Sequence, residues 1–427
     1  MSKKVSLMIA LIAITLLVIA LFSYVPTLKQ VSSFLIASAK VGGTITCENL
    51  TSISISDEFG LGYPGVAGAP TWGLPTDNAT EPLRVRRSWS TLTDEEKKQF
   101  VDGIVLLKQT TATSALPGAQ RADYQSFCPT EYERNLYDYY VELHISAFTT
   151  MGSAPMSTMA HGAPHFLPWH RYLLLRMEKD MQTVLNDPTF TLPYWDWDDC
   201  SPGKEDGSNP CPQLFELDFL GSHGGATDDE AIVQGYLIDQ GYEVNVWVDN
   251  TLLTIYNTDG IRCGSRPLQR QTGTNQETNG LPPSSIETID DGYLRPLYDI
   301  EPYDACSTDD TISFRMFLEG FRPTDTDIFC FSAGNCARHG LGHTYIGGDM
   351  SFGGAVPEPI FFLHHANVDR IWAMWQDNNR QNPDTAVDYG NPGFPDMWRV
   401  PLFNFPEVMV SDTFDFRALG YEYDTTP

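Results

Sequence analysis

Eight of the nine histidines in this 427-residue chain fall into two groups. His144, His161, His165 and His170 form the first, and His339, His343, His364 and His365 form the second. Imidazole is a ligand for copper, zinc, iron and nickel, so the grouping predicts two metal centres. It also restricts the fold, because whatever the chain builds must carry two distant stretches to sites where several rings face one ion.

The spacings give those stretches local structure. His339 and His343 are four apart, which on a helix stacks both rings on one face. A lone HxxxH is weak, but Phe361-Phe362-Leu363-His364-His365-Ala366-Asn367-Val368-Asp369-Arg370 reads as an apolar helix start with histidines on it. Asp369 lies one turn beyond His365, where it either orients a ligand ring or pairs with a nearby arginine. The stretch from His161 to His170 cannot be one helix, because Pro164 and Pro168 interrupt it and positions nine apart face opposite ways. His161 is therefore expected in a loop and His170 in the first turn of the next helix, with His144 from the preceding helix completing a set. Three imidazoles per metal leave positions open for substrate, unlike a closed structural site. No Glu-x-x-His pattern accompanies them, which argues against a carboxylate-bridged di-iron bundle. All-nitrogen ligation favours copper, with zinc second.

Lys plus Arg number 27 against 55 Asp plus Glu, a formal net charge of −28, which repels phosphate backbones and makes nucleic acid an unsuitable partner. No EF-hand-like loop accompanies the acids, so they read as a solvated surface. Behind Lys3 and Lys4 an uncharged apolar run from Val5 to Val25 is long enough to span ~30 Å of hydrocarbon. The nearest small-x-small site, Ala37-Ser38-Ala39, is far downstream, which favours a signal anchor over a cleaved signal peptide and gives a membrane connection through this segment if it is uncleaved. Either reading puts the rest in a lumen or outside the cell. The eight cysteines, with no CxxC among them, then read as disulfides, with Cys200–Cys211 and Cys330–Cys336 as plausible close pairs. Asn49-Leu50-Thr51 and Asn78-Ala79-Thr80 are sequons in the same exported part.

Residues 1–27 thus form the hydrophobic leader and 28–82, rich in Gly, Ser, Thr and Pro, an irregular stalk, leaving 83–427 as the metal domain. Within it helices are expected after Thr91-Leu92-Thr93-Asp94-Glu95-Glu96, over about Glu131 to Phe148, after Trp169, and from near Pro359 to about Gln376. The run Gly264 to Ile289 reads as a long loop or insertion, and the chain after Asn382 as irregular.

These stretches resemble the copper-binding signatures of the tyrosinase, catechol oxidase and molluscan haemocyanin family, the type-3 dicopper proteins. Arg84-Val85-Arg86-Arg87-Ser88-Trp89, Leu192-Pro193-Tyr194-Trp195-Asp196-Trp197 and Asp369-Arg370-Ile371-Trp372 look like further family segments, and the likeness runs from about Arg84 to Gln376. It implies a mainly helical fold, a four-helix bundle housing a dinuclear copper centre, with long irregular loops and few short strands. It further implies that His144, His161 and His170 hold one copper ion and His339, His343 and His365 the other. His364 would then point elsewhere, and His165 would lie on a pocket wall or the surface, with His223 isolated on a loop. Phe361, Gly340 and Thr344 would line the substrate pocket, and Asp369 would stand behind the ligands. The implied activity is oxidation of o-diphenols, with monophenols as a further substrate, to o-quinones by O2. An oxygen carrier like haemocyanin and a zinc-loaded isomerase are the alternatives. Met159 stands where many relatives have a cysteine bonded to the second histidine of the first site. Gly340 stands where many monophenol-hydroxylating members have Asn, which tilts the expectation toward diphenols. The sequence gives no oligomeric state.

Overall fold

A computed structural model describes residues 82–425 apart from segments 113–126, 129–133, 151–159, 201–210, 250–259, 274–281, 300–312, 330–337 and 381–399 and a few single positions. The leader, the stalk, both sequons, Met159, Cys330 and Cys336 lie outside the described residues. Among the described residues no helix is long and apolar enough to cross a membrane.

Helices dominate. α1 (Asp94–Gln109) starts where the sequence puts it: the Thr93 side chain accepts the Glu96 N–H while the Glu96 carboxylate accepts the Thr93 N–H. This capping box satisfies two of the donors that a helix start leaves without partners. Phe100, Val101, Ile104 and Leu107 form its buried stripe. α2 (Leu136–Thr149) is buried along its whole length, the pattern of a helix enclosed by others. α3 (Phe166–Leu185) packs against α1 and α7. α4 (Ser285–Tyr293) and α5 (Phe314–Glu319) are short, α6 (Arg338–Ile346) carries the HxxxH pair, and α7 (Ile360–Arg380) is the longest.

Among the described residues eight short strands make four two-stranded sheets. β1 (Arg84–Arg86) pairs in parallel with β8 (Tyr421–Tyr423), so the two ends of the described chain lie side by side. β2 (Val244–Val248) pairs antiparallel with β3 (Ile261–Arg266), and β4 (Phe321–Thr324) with β5 (Asp327–Phe329). β6 (Pro401–Leu402) pairs with β7 (Phe405–Met409).

Three expectations need correction. The run Gly264 to Ile289 is not one loop: Gly264 lies in β3, tied to its partner strand and through Cys263 to Cys128, and α4 begins at Ser285. Polar composition hid both, although Ser284 caps α4 by accepting the Glu287 N–H. The tail after Asn382 is more ordered than its composition implies, because β6, β7 and β8 take up its described part. His170 is in the second turn of its helix, since α3 begins at Phe166, ahead of Pro168. A proline in the first turn lacks only an N–H that would have had no helical partner.

Of the suggested cysteine pairs, Cys200–Cys211 is present as a disulfide. Cys128–Cys263, 135 residues apart, was not legible from spacing.

The start of α7 is fixed from outside. Glu358 accepts the Ile360 N–H and a bidentate pair from buried Arg270, at 2.7 and 2.8 Å. Arg270 also donates to the carbonyls of Leu220, Gly221 and Ser222. A planar guanidinium is suited to such a multi-armed buried joint. It determines where the helix carrying His364 and His365 begins.

Candidate metal centre

His144 comes from the middle of buried α2, His161 from the turn before α3, and His170 from α3 itself. Their ring centroids are 4.9, 5.6 and 5.0 Å apart, and one nitrogen of each ring lies within 4.8 Å of the others. The sharp turn after His161 uses Gly162 at φ 66°, a conformation that costs glycine little. The Gly162 N–H donates to Glu319 Oε1 at 2.7 Å. His170 Nδ1 faces the Phe166 carbonyl at 2.8 Å, which puts the proton on Nδ1 and a bare lone pair on Nε2. That Nε2 is buried without a hydrogen-bond partner among the described residues.

The second triplet is tighter. His339 Nε2 lies 2.9 Å from His343 Nε2 and 3.3 Å from His365 Nε2, and the last two are 3.2 Å apart. The Nδ1 atoms of His343 and His339 meet the carbonyls of Met350 (2.9 Å) and Glu319 (3.4 Å). Carbonyls accept, so in those two rings the proton is on Nδ1 and the Nε2 lone pairs point inward. Lone pairs converging in an apolar interior repel one another unless a cation lies between them. Nitrogens at ~2.0–2.1 Å from one tetrahedral ion lie about 3.3 Å apart, close to the spacing found, so these residues fit a metal.

The triplets adjoin. The His170 and His365 rings stack at 4.4 Å with planes 7° apart, and Phe361 packs 4.2 Å from His365, 5.1 Å from His144 and 5.9 Å from His343. Burial, reinforced by neighbouring imidazoles, holds His161, His170, His339 and His365 well below the usual histidine range, and burial brings His343 down to about 4. Neutral rings are the form that binds metal.

The other singled-out residues divide. Gly340 is buried on α6, and Thr344 is half-buried with its hydroxyl on the Leu341 carbonyl. His165 is half-buried at the N-cap of α3, and His223 sits in a loop beside Phe215. His364 is fully buried beside the second triplet, with a ring nitrogen also within 4.8 Å of those of His339, His343 and His365. Asp369 resolves toward the arginine alternative. Its carboxylate takes Arg171 Nε at 2.5 Å, Arg86 at 3.4 Å, and the hydroxyls of Tyr421 and Tyr423 at 2.6 and 2.7 Å. Those partners belong to the frame, and no hydrogen bond from Asp369 to a histidine is found among the described residues.

Glu319 is the residue that sequence reasoning missed. Its carboxylate holds the turn of His161 and its carbonyl faces His339, so one residue touches both triplets. Burial raises its carboxyl to about 7 against the pull of Arg315, which pairs with it at 2.7 Å and with Asp299 at 2.7 Å. The i, i+4 Arg315–Glu319 spacing was the available signal.

The common central domain of tyrosinase matches residues 134–378, more than half the chain and all six histidines of the two triplets. The chain belongs to the tyrosinase family. Among curated relatives of this tyrosinase-family protein, grixazone synthase of Streptomyces griseus subsp. griseus is 29% identical over 352 residues, covering 80% of this chain and 99% of that one. Tyrosinase of Felis catus is 30% identical over 371 residues, covering 82% of this chain and 64% of its own length. Among solved structures, a polyphenol oxidase mutant from Thermothelomyces thermophila aligns at a TM-score of 0.49 and 23% identity, covering 72% of this chain and 76% of that one. Membership places the tyrosinase-family domain among the type-3 copper proteins, whose cofactor is a pair of copper ions.

Proposed function

We propose that this chain is a copper-dependent polyphenol oxidase that uses O2 to convert o-diphenols to o-quinones. The observation that carries the reading is the pair of adjoining triplets of buried imidazoles, in which His170, His339 and His343 give their Nδ1 proton to a carbonyl and keep a bare Nε2 lone pair. His144, His161 and His170 would hold one copper ion and His339, His343 and His365 the other. A bound copper pair supplies O2 binding and two-electron oxidation, so that two diphenols and one O2 give two quinones and two waters.

The chain's own residues supply shape and dryness. Phe361 gives a flat apolar face between the triplets, Phe166 lies 4.8 Å from both His170 and His339, and the enclosure favours a neutral aromatic substrate. Gly340 places no side chain beside His339, so no amide is present there to assist phenol deprotonation, which favours diphenols over monophenols. Asp369 acts from a distance, by fixing the helix that carries His365. The disulfides Cys128–Cys263 and Cys200–Cys211 support an oxidising compartment outside the cytoplasm. Val5–Val25 would serve as anchor or signal, and residues 83–427 as the catalytic domain.

The test is to load the full chain with copper, count the ions, and follow O2 uptake and quinone absorbance with catechol and then a monophenol. Two coppers per chain with one O2 consumed per two catechols is the expected result. Two coppers without turnover would make the protein an oxygen carrier instead, and retention of zinc with no oxidation would overturn the reading.

A further inference from the structure

His364 is the seventh imidazole at this centre, and its Nδ1 partner is opposite in kind to those of His170, His339 and His343. The Nδ1 atoms of His170, His339 and His343 face carbonyl oxygens, which accept. His364 Nδ1 instead faces the indole N–H of Trp197 at 3.1 Å, which can only donate. A neutral ring that accepts at Nδ1 must carry its proton on Nε2. Neither nitrogen then keeps a bare lone pair for a metal, Nδ1 accepting from the indole and Nε2 carrying the proton, and that Nε2 is buried with no hydrogen bond of ordinary geometry among the described residues.

Trp197 is itself anchored. It is buried, its backbone N–H donates to Ser285 Oγ, and Asn367 on α7 donates to the same hydroxyl at 3.0 Å. The indole therefore keeps its register with the helix that carries His364. Gly342 on α6 leaves room for the ring, since a Cβ there would run into it. Nothing about distance keeps His364 from the metal position.

We infer that the Trp197–His364 hydrogen bond fixes the tautomer of His364, keeping a fourth imidazole out of the second metal position and leaving one side of it open. This rests on the copper reading above. Three protein ligands with an open position suit a reacting centre, and a fourth nitrogen would close it. Trp197 is thus a positioning residue, acting through a ring that touches the site.

Trp197→Phe removes the donor while keeping an aromatic ring. His364 is then free to move its proton to Nδ1 and present Nε2 to the metal. The copper-loaded Trp197→Phe chain is expected to hold two ions, to release the second-site ion to a chelator about ten-fold more slowly than the parent, and to oxidise catechol about ten-fold more slowly. Adding His364→Leu removes the competing ring, so the double variant should recover both rates relative to Trp197→Phe alone. A double variant no faster than the single one, or unchanged copper release in Trp197→Phe, overturns the proposal. A measurement on the unaltered protein guards against misfolded variants. In copper(I)-loaded, 15N-histidine-labelled chain, the His364 ring should show its proton on Nε2, and a proton on Nδ1 would equally overturn it. Failure of the parent to bind two coppers would instead count against the proposed function.

Discussion

Replacing Asp369 by Asn keeps the side chain's shape and removes its charge, which tests whether this carboxylate serves the frame or the metal. In the folded chain it receives Arg171 at 2.5 Å, Arg86 at 3.4 Å and two tyrosine hydroxyls at 2.6 and 2.7 Å, all from buried groups. Arg86 keeps Glu178 at 2.8 Å, whereas among the described residues Arg171 keeps only neutral acceptors, Gln376 and the carbonyls of Thr413 and Phe414. Leaving a buried charge without its counter-ion costs about 3–5 kcal/mol, or about 4–7 °C in melting temperature for a domain of this size. The loss should be of similar size in copper-free and copper-loaded protein, because no ligand ring is touched. Calorimetry on both forms, with limited proteolysis of the segment after Thr413, provides the assay. A copper-free protein unchanged within about 1 kcal/mol, together with weakened copper binding, would refute the reasoning and restore Asp369 as an orienter of a ligand.

Glu178→Gln should also destabilise, with a distinct pH signature. Burial alone would raise this carboxyl, but Arg86 and Arg84 outweigh it and hold the group below its ordinary 4.5. Its stabilisation is therefore present above pH 4.5 and fades as pH falls through the lower folded value, so the gap between parent and variant, followed by urea unfolding, should narrow toward acid. Thr93→Ala removes one half of the α1 capping box and should cost about 1 kcal/mol in the same assay, about 1–2 °C of melting temperature. Gly342→Ala forces a methyl against the His364 ring and should cost about 1–3 kcal/mol by overpacking, seen as a lowered melting temperature of the copper-free chain.

The centre was legible because its chemistry is local. The His339–His343 spacing, the apolar run into His365 and the prolines between His161 and His170 each constrain a few residues, and the rings meet as those constraints require. The main helices were legible for a similar reason, being set by the Thr93 cap and by apolar periodicity. What stayed hidden depends on partners far along the chain. Glu319 touches Gly162 across 157 positions, Arg86 meets Tyr423 across 337, and Trp197 reaches His364 across 167. No spacing rule links such pairs. The β1–β8 ladder was out of reach for the same reason, since three-residue strands carry almost no periodicity. Asp369 was read as two alternatives because a carboxylate one turn from a ligand suits both equally, and only the folded arginines decide.

The parallel ladder gives the domain a mechanical property. The chain enters β1 at Arg84 and leaves β8 after Tyr423, and the register sets Arg84 beside Tyr421 and Arg86 beside Tyr423. A force drawing the two ends apart therefore pulls the strands past each other along their length. In that shear geometry the rungs bear load together, whereas a peeled hairpin gives them up one at a time. The Arg86 guanidinium lies 3.7 Å above the Tyr421 ring and is bonded to Glu178, so sliding would have to drag a buried charge off its partners. Tension between the termini would meet this clamp before any of it reached the helices that hold the histidines.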